Sequence, residues 1–407
     1  MTGATVSLII VSRHRATSLL RTIAAVRLQD HAALEVIVVA DPDAATAVQG
    51  LGLPIKVVVF DQANISAARN AGISVAAGDL VAFLDDDAVP EPTWISRLTA
   101  PFGNPAVTMA TGFVRGRNGI SDQWRACDVD QFGWDHALSV DRQAVTLLSG
   151  TPKRALKAQG TNCAFRRLDL LALGGFDEAF RFYLEDADIS LRVARMGGLA
   201  AVVPGAVVQH GFAASVRRRA DRAPLDLHDI GASCAYFLRR HAPNADMETQ
   251  RLAQWRGQRA RLLRHMVRGE LEPGQIGPLL AGFYSGWARG AAYVAADLAR
   301  NPVDTPEFQL FGTMQRAGVL IAGRYWQRRE LFRRAKVDVA DGKIVTVLSL
   351  SPTAWYHQHR FESGGFWIQF GGAYGKSVRD TGFFQPMRFS TRVAEEAARI
   401  AATRPLR

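Results

Sequence analysis

Cysteine is scarce in this chain. Cys127, Cys163 and Cys234 are the three among 407 residues, and they lie far apart. That spacing excludes a disulfide framework or a C-x-x-C metal knuckle and suits a reducing compartment. Long apolar runs are missing too: the nearest to a membrane span, residues 276–298, is broken by Arg289 and several glycines. The opening MTGATVSLIIV has no basic stretch and no long apolar core, so no signal peptide is expected. No G-x-G-x-x-G follows the first apolar run, where Ser12-Arg13-His14-Arg15 stands instead. This argues against a dinucleotide cofactor site and against the glycine-rich loop of a sugar nucleotidyltransferase. Internal repeats and nucleic-acid-binding motifs are also lacking, so no nucleic-acid partner is expected.

What is present begins with alternation. Apolar runs at 6–11, 35–39, 55–60 and 80–84 alternate with helical spacing at 16–29 and 66–76. The run VSLIIV has the continuous apolar character of a strand buried on both faces. Strands alternating with helices predict an α/β chain with a doubly wound, mostly parallel sheet. At the end of the run LVAFL stand three consecutive acids, Asp85, Asp86 and Asp87. Adjacent carboxylates repel, and a fold keeps them together when a cation or a positive ligand neutralises them. They also fall at the C-terminal end of a strand, where open α/β sheets bind ligands.

A second block reads GTNCAFRR, then GGFDE, then LEDAD ahead of a helix that Gly197-Gly198 ends. It puts Glu185 and Asp186 at a helix N-terminus, which favours ionised carboxylates. The segment 101–159 informs less; its Trp124, Trp134 and His136 read as packing residues.

Charge is unevenly distributed. Residues 1–215 carry 19 Lys and Arg against 21 Asp and Glu, whereas residues 216–407 carry 30 against 17. Past residue 215 the pattern predicts helices at about 227–240, 249–268, 278–300 and 308–335, and then a β-like tail with a strand at 344–350. The expected units are therefore residues 1–215, a basic helical region 216–335 and a C-terminal tail 336–407. The third helix carries Leu279, Leu280, Phe283, Trp287, Ala291, Val294 and Leu298 as an apolar stripe. Beside so much positive charge, the stripe suits either packing against a neighbouring helix or a position in an anionic membrane surface.

The order of these motifs resembles family 2 glycosyltransferases of the GT-A fold. The resemblance rests on S-x-x-R-N-x-G at Ser66–Gly72, GDLVAFLDDD, P-x-P-x-W-I, the GTNCAFRR block and E-D-x-D-x-x-L-R, and it covers about half of the chain, from Val6 to His210. It implies a nucleotide-sugar donor, a glycan or lipid-linked acceptor and a divalent cation, Mn2+ or Mg2+. By this resemblance Ser12, Asp41, Arg69, Asp85 and Asp86 hold the nucleotide, and Asp87 and His210 bind the metal. Asp186 is the catalytic base with Glu185 supporting it, and Asn162 lies on the acceptor side. The family usually has two acids where this chain has Ala40-Asp41, so the base stays open among uridine, thymidine and guanosine. The expected reaction is inverting transfer by a cytoplasmic protein associating peripherally with a membrane. The alternatives are a catalytically inactive nucleotide-sugar-binding protein on the same fold and a processive synthase; the latter is disfavoured because spans and a Q-x-x-R-W motif are missing.

Overall fold

The computed structural model describes residues 3–211, 214–294, 298 and 306–406. Its first half runs β1 (Val6–Ser12), α1 (Ala16–Val26), β2 (Leu34–Ala40), α2 (Pro42–Gln49), β3 (Ile55–Val59), α3 (Ile65–Ser74), β4 (Leu80–Asp85), β5 (Ala88–Pro90), α4 (Trp94–Thr99) and β6 (Val107–Arg115). There follow β7 (Asp122–Trp124), β8 (Cys127–Asp130), β9 (Asp135–Ala137), β10 (Thr146–Ser149), β11 (Arg154–Leu156), β12 (Cys163–Arg166), α5 (Arg167–Ala172), α6 (Glu185–Arg195) and β13 (Leu199–His210). The main sheet has the order β10-β13-β6-β12-β4-β1-β2-β3. Strands β1 to β4 pair in parallel, as do β6 and β13, while β12 runs antiparallel between β4 and β6. The expected mostly parallel α/β sheet is what forms.

The apolar runs are explained by two covered faces. In β1, Leu8 and Ile10 point into one core with Leu19 and Ile23 of α1, whereas Ile9 points into the other with Ala68 and Ile73 of α3. Both faces are dry, which explains the apolar run, and the buried Ser7 within it is satisfied by a hydrogen bond to Glu35. Gly72 lets α3 lie directly on Ile9, since a Cβ there would press into that side chain.

Strand β13 is one element with an irregularity in it. Its register against β6 shifts between Val203 and Val207, where Pro204, Gly205 and Ala206 are accommodated. A bulge of this kind re-aims everything beyond it. Here it brings His210 opposite Ala88 of β5, the residue after the acidic triplet.

The second half departs from expectation in three places. Helices α7 (His228–His241) and α8 (Met247–Val267) form close to the expected positions, whereas α9 (Pro273–Ala291) starts and ends earlier than the 278–300 expected. The helix expected at 308–335 does not form: residues 318–324 form strand β14 (Gly318–Arg324), and helix α10 (Arg328–Ala340) starts after it. The two are the first members of a parallel unit completed by β15 (Ile344–Ser351), β16 (Gln358–Phe361), β17 (Trp367–Gly372) and α11 (Phe389–Ala401), in the order β14-β15-β17-β16. Pairing with β15 over its whole length gives β14 a sheet ladder that no local helical pattern reveals. The boundary expected at 335/336 consequently falls inside α10, and the C-terminal unit includes β14.

The third departure concerns the apolar stripe. Leu280, Phe283 and Trp287 are buried in one core with Ile230, Cys234 and Phe237 of α7. Gly286 and Gly290 let the helices touch, because a Cβ at either would collide with the carbonyl oxygen of His228 or Ala232. From Leu279 to Trp287 the stripe is a helix–helix seam, whereas Ala291 and Val294 are exposed. Residues 295–297, 299 and 300 of the expected helix lie outside the described residues. Among the described residues no helix is long and apolar enough to cross a membrane.

Candidate active site

Strands β1, β2, β4 and β13 all deliver side chains at one end of the sheet. Ser12 ends β1, Asp41 follows β2, Asp85 ends β4 and His210 ends β13. This carboxyl edge is where ligands bind in open α/β sheets.

The three acids of the triplet separate by environment. Asp85 is a third exposed, and Asp87 is buried. His210 Nε2 lies 3.1 Å from Asp87 and 3.6 Å from Asp85. One ligating atom from each of Asp85, Asp87 and His210 falls within 4.8 Å of the others. Two carboxylates and one imidazole make a donor set that fits a hard to borderline divalent ion. The resemblance had implied Asp87 and His210 as ligands, with Asp85 on the nucleotide. The structure puts Asp85 into the same cluster.

Asp86 points the other way, into the protein. It accepts a hydrogen bond from Ser12 Oγ at 2.7 Å and from Arg15 Nε at 3.0 Å, and it pairs with a second nitrogen of Arg15. Burial pushes its carboxyl up to about 7, against the pull of the Arg15 guanidinium and the Ser12 hydroxyl. Ser12 and Asp86 thus tie β1 to the triplet loop. Arg15 also reaches Asp87 at 3.6 Å, and Arg218 reaches it at 4.0 Å. The three arginines 217–219 are therefore no free basic patch: Arg217 pairs with Asp229 at 2.6 Å and Arg219 with Asp221 at 2.7 Å.

Asp41 caps α2. Its carboxylate accepts from Ala44 N at 3.3 Å and from His14 N at 2.7 Å, stapling the loop after β1 to the start of α2. Burial opposes its ionisation, yet these N–H donors hold it below the usual carboxylate range.

Arg69 joins the triplet to the second acidic block. Its fully buried guanidinium donates to Glu185 Oε1 at 3.2 Å and approaches Asp85 at 4.0 Å, lying against the rings of Phe83 and Phe176. Gly160 leaves it room, since a Cβ there would strike the guanidinium. Burial and the neighbouring Asp186 push the Glu185 carboxyl up, with Arg69 opposing. Two residues with positive φ, Tyr183 (76°) and Leu184 (69°), precede this helix start. Such backbone strain in non-glycine residues persists where packing overdetermines it and clusters at functional sites.

Asp186 is partly exposed, beside Lys157 Nζ at 3.9 Å. Lys157 is buried, bonds both oxygens of Asp135 at 3.1 Å and sits over the Trp124 ring at 5.2 Å. Burial opposes its charge, but Asp186 and Asp135 raise its pKa above the ordinary lysine value. Reading the sequence missed Lys157 and Asp135 altogether; a lone lysine and a lone acid, 22 residues apart, carry no motif. Trp124, read from the sequence as a packing residue, packs on this ammonium group.

Asp188, two positions on, is a brace. Fully buried, it pairs with Arg192 at 2.7 Å, Arg240 at 3.1 Å and His241 at 2.9 Å, fastening α6 to α7. Asn162 is likewise committed to the framework. It accepts from Trp94 Nε1 at 2.7 Å and donates to the carbonyls of Phe113 at 3.0 Å and Ala206 at 2.9 Å, the last inside the β13 bulge. Instead of facing an acceptor, it holds the bulge that aims His210.

The family model for glycosyl transferase family 2 matches residues 7–165. Among curated relatives, the succinoglycan biosynthesis protein ExoM of Rhizobium meliloti is 35% identical over 107 residues, which is 25% of this chain and 35% of that protein. The pre-mycofactocin glycosyltransferase of Mycobacterium tuberculosis is 26% identical over 156 residues, 37% of this chain and 31% of that protein. The matched stretch spans about a third of each relative's length. Among solved structures, the mannosyltransferase PcManGT of Pyrobaculum calidifontis, in complex with GDP-Man and Mn2+, is 17% identical. That alignment covers 71% of this chain and 88% of the other, with a TM-score of 0.42. Over residues 7–165, this chain is thus similar to glycosyl transferase family 2.

Proposed function

We propose that the chain is an inverting glycosyltransferase that moves a sugar from a nucleoside-diphosphate donor to a hydroxyl of a glycan or lipid-linked acceptor, assisted by a divalent cation. The observation that carries this reading is the Asp85–Asp87–His210 donor set joined to Glu185 and Asp186 through Arg69. The match of residues 7–165 to the glycosyl transferase family 2 model supports the reaction class.

A cation held by Asp85, Asp87 and His210 supplies positive charge to the leaving diphosphate. The chain's own residues do the rest. Ser12, Asp41 and Arg15 shape the loop after β1 that receives the nucleotide. Asp186 takes the proton of the acceptor hydroxyl as its oxygen bonds the anomeric carbon and the bond to the diphosphate breaks. Attack from the face opposite the leaving group inverts the anomeric centre. Lys157 holds Asp186 in place, and Arg69 keeps Glu185 anchored beside it.

Calorimetry with Mn2+ and nucleotide sugars, paired with turnover, tests the reading. Asp87→Asn is expected to abolish the metal dependence of donor binding. Asp186→Asn is expected to retain donor affinity and lose about 10²–10⁴-fold in turnover, the usual loss of a positioned base. Wild-type protein that binds donor but neither transfers nor hydrolyses the sugar would establish the inactive binder instead.

A further inference from the structure

A second cavity, of about 300 Å³, lies between the β6–β7 connection and the C-terminal unit. It is small for a ligand site but within the usual range. Its floor is made of buried polar groups, His359, Gln369, Glu396 and Arg404. Six arginines line it: Arg115, Arg125, Arg142, Arg379, Arg399 and Arg404.

Five carboxylates answer these six guanidinium groups. Arg125 pairs with Asp122, Arg142 with Asp380 and Arg399 with both Glu396 and Glu395, while Arg392 also draws on Glu396 at 3.0 Å. Arg404 and Arg115 share Glu91, the first through two bonds at 2.7 and 2.8 Å and the second at 3.6 Å. Arg379 bonds the Ser121 hydroxyl at 3.2 Å and the His357 carbonyl at 2.8 Å, and among the described residues it pairs with no carboxylate. With Arg392 counted, two positive charges are left over around this concave space. Guanidinium forks match carboxylate and phosphate oxygens in pairs, so the missing counter-charge is an oxyanion.

Aromatic side chains stand at the same place. Arg379 and Lys376 each lie over the Tyr356 ring at 5.0 Å, and Phe383 packs at 5.9 Å from that ring. Trp355, Tyr356, Phe383 and Phe384 are all exposed. Exposed rings beside Arg379, next to the cavity lining, offer a flat apolar surface on which a sugar ring can rest. Arg115 stands opposite Gln209 in the β6–β13 pairing, one residue before His210, so the cavity adjoins the end of the sheet that carries the metal-type cluster.

We propose that this cavity binds an acidic carbohydrate through its carboxylate or phosphate, with Arg379 as the principal contact and the Tyr356–Phe383 surface beneath the sugar ring. The inference rests on the cavity alone and stands whether or not the donor site performs the reaction proposed above.

Titration calorimetry on the full chain tests it, in EDTA so that the Asp85–Asp87–His210 cluster cannot recruit phosphate through a cation. The probes are glucuronate, glucose 6-phosphate, glucose and inorganic phosphate, with sedimentation on phosphatidylglycerol vesicles alongside. Saturable binding of glucuronate or glucose 6-phosphate, with none for glucose, is the expected result. Arg379→Gln should weaken that binding about tenfold or more, the scale of one charge-assisted contact. Arg142→Ala, at an exposed position that folding tolerates, should weaken it less, and His210→Ala should leave it unchanged. Failure of both sugar acids to bind the wild type, or equal binding to Arg379→Gln, overturns the proposal. Inorganic phosphate binding as tightly as the sugar phosphate removes the carbohydrate from it and overturns it as stated. Arg379-dependent vesicle binding without sugar-acid binding replaces it with a membrane surface.

Discussion

Replacing Arg69 with methionine isolates the contact that joins the two acidic blocks. Methionine keeps the packing against Phe83 and Phe176 and removes only the charge. Glu185 then stays buried beside Asp186 without its counter-ion, and breaking such a buried pair costs about 3–5 kcal/mol. Protonation limits the loss. Taking a proton onto a carboxyl whose unfolded pKa is about 4.3 costs about 4 kcal/mol at pH 7 and only about 1 kcal/mol at pH 5. In the variant Glu185 has a folded pKa raised above its unfolded one, so its folded state binds more protons and stability falls as pH rises. Burial already raises the Glu185 carboxyl in the wild type, so these are upper bounds. Urea unfolding of wild type and variant should differ by at most about 4 kcal/mol at pH 7 and at most about 1 kcal/mol at pH 5, with the larger difference at pH 7. Arg69→Met/Glu185→Gln, which removes the stranded charge, should recover most of the difference. A loss that is the same at both pH values, or a double variant no more stable than the single one, refutes the reasoning.

Two further outcomes follow from the framework. Burial lowers the pKa of His241 with Asp188 opposing, and although burial opposes ionisation of Asp188, Arg192 and His241 hold its pKa far below the ordinary value. Both folded pKa values lie below the unfolded ones, so the unfolded state binds the extra protons and stability falls with acid, first below about pH 6.5 and again below about pH 4. His241→Gln keeps a donor for Asp188 and should flatten the urea midpoint between pH 7 and pH 5; an unchanged slope removes His241 from the account. At the α7–α9 seam, Gly286→Ala should destabilise by about 1–3 kcal/mol, because its Cβ meets the backbone of His228. Gly282→Ala, with its nearest neighbour at 3.5 Å, should stabilise by about 0.5–1 kcal/mol through helix propensity. Thermal unfolding that ranks the two variants the other way sinks the close-crossing argument.

The alternating sheet was legible in the sequence because both faces of β1 and β4 are dry, and a run such as VSLIIV admits little else. The acidic triplet, Glu185-Asp186 and Arg69 were legible as motifs because each is local in sequence. Tertiary structure decided how they combine. Pairing of β5 with β13 beyond the bulge puts His210 against Asp87, and Asn162 holds that bulge from a third strand. Strand geometry turns Asp86 inward and leaves Asp85 in the cleft, which three identical side chains in a row cannot announce. Lys157 reaches Asp135 and Asp186 from strands and loops with no shared pattern. The apolar stripe of α9 was visible, but its glycines gained meaning only from the backbone of α7 crossing them. Strand β14 was read as helix because its ladder partner lies beyond a whole helix, and non-local pairing overrides local preference wherever a neighbouring strand supplies the hydrogen bonds.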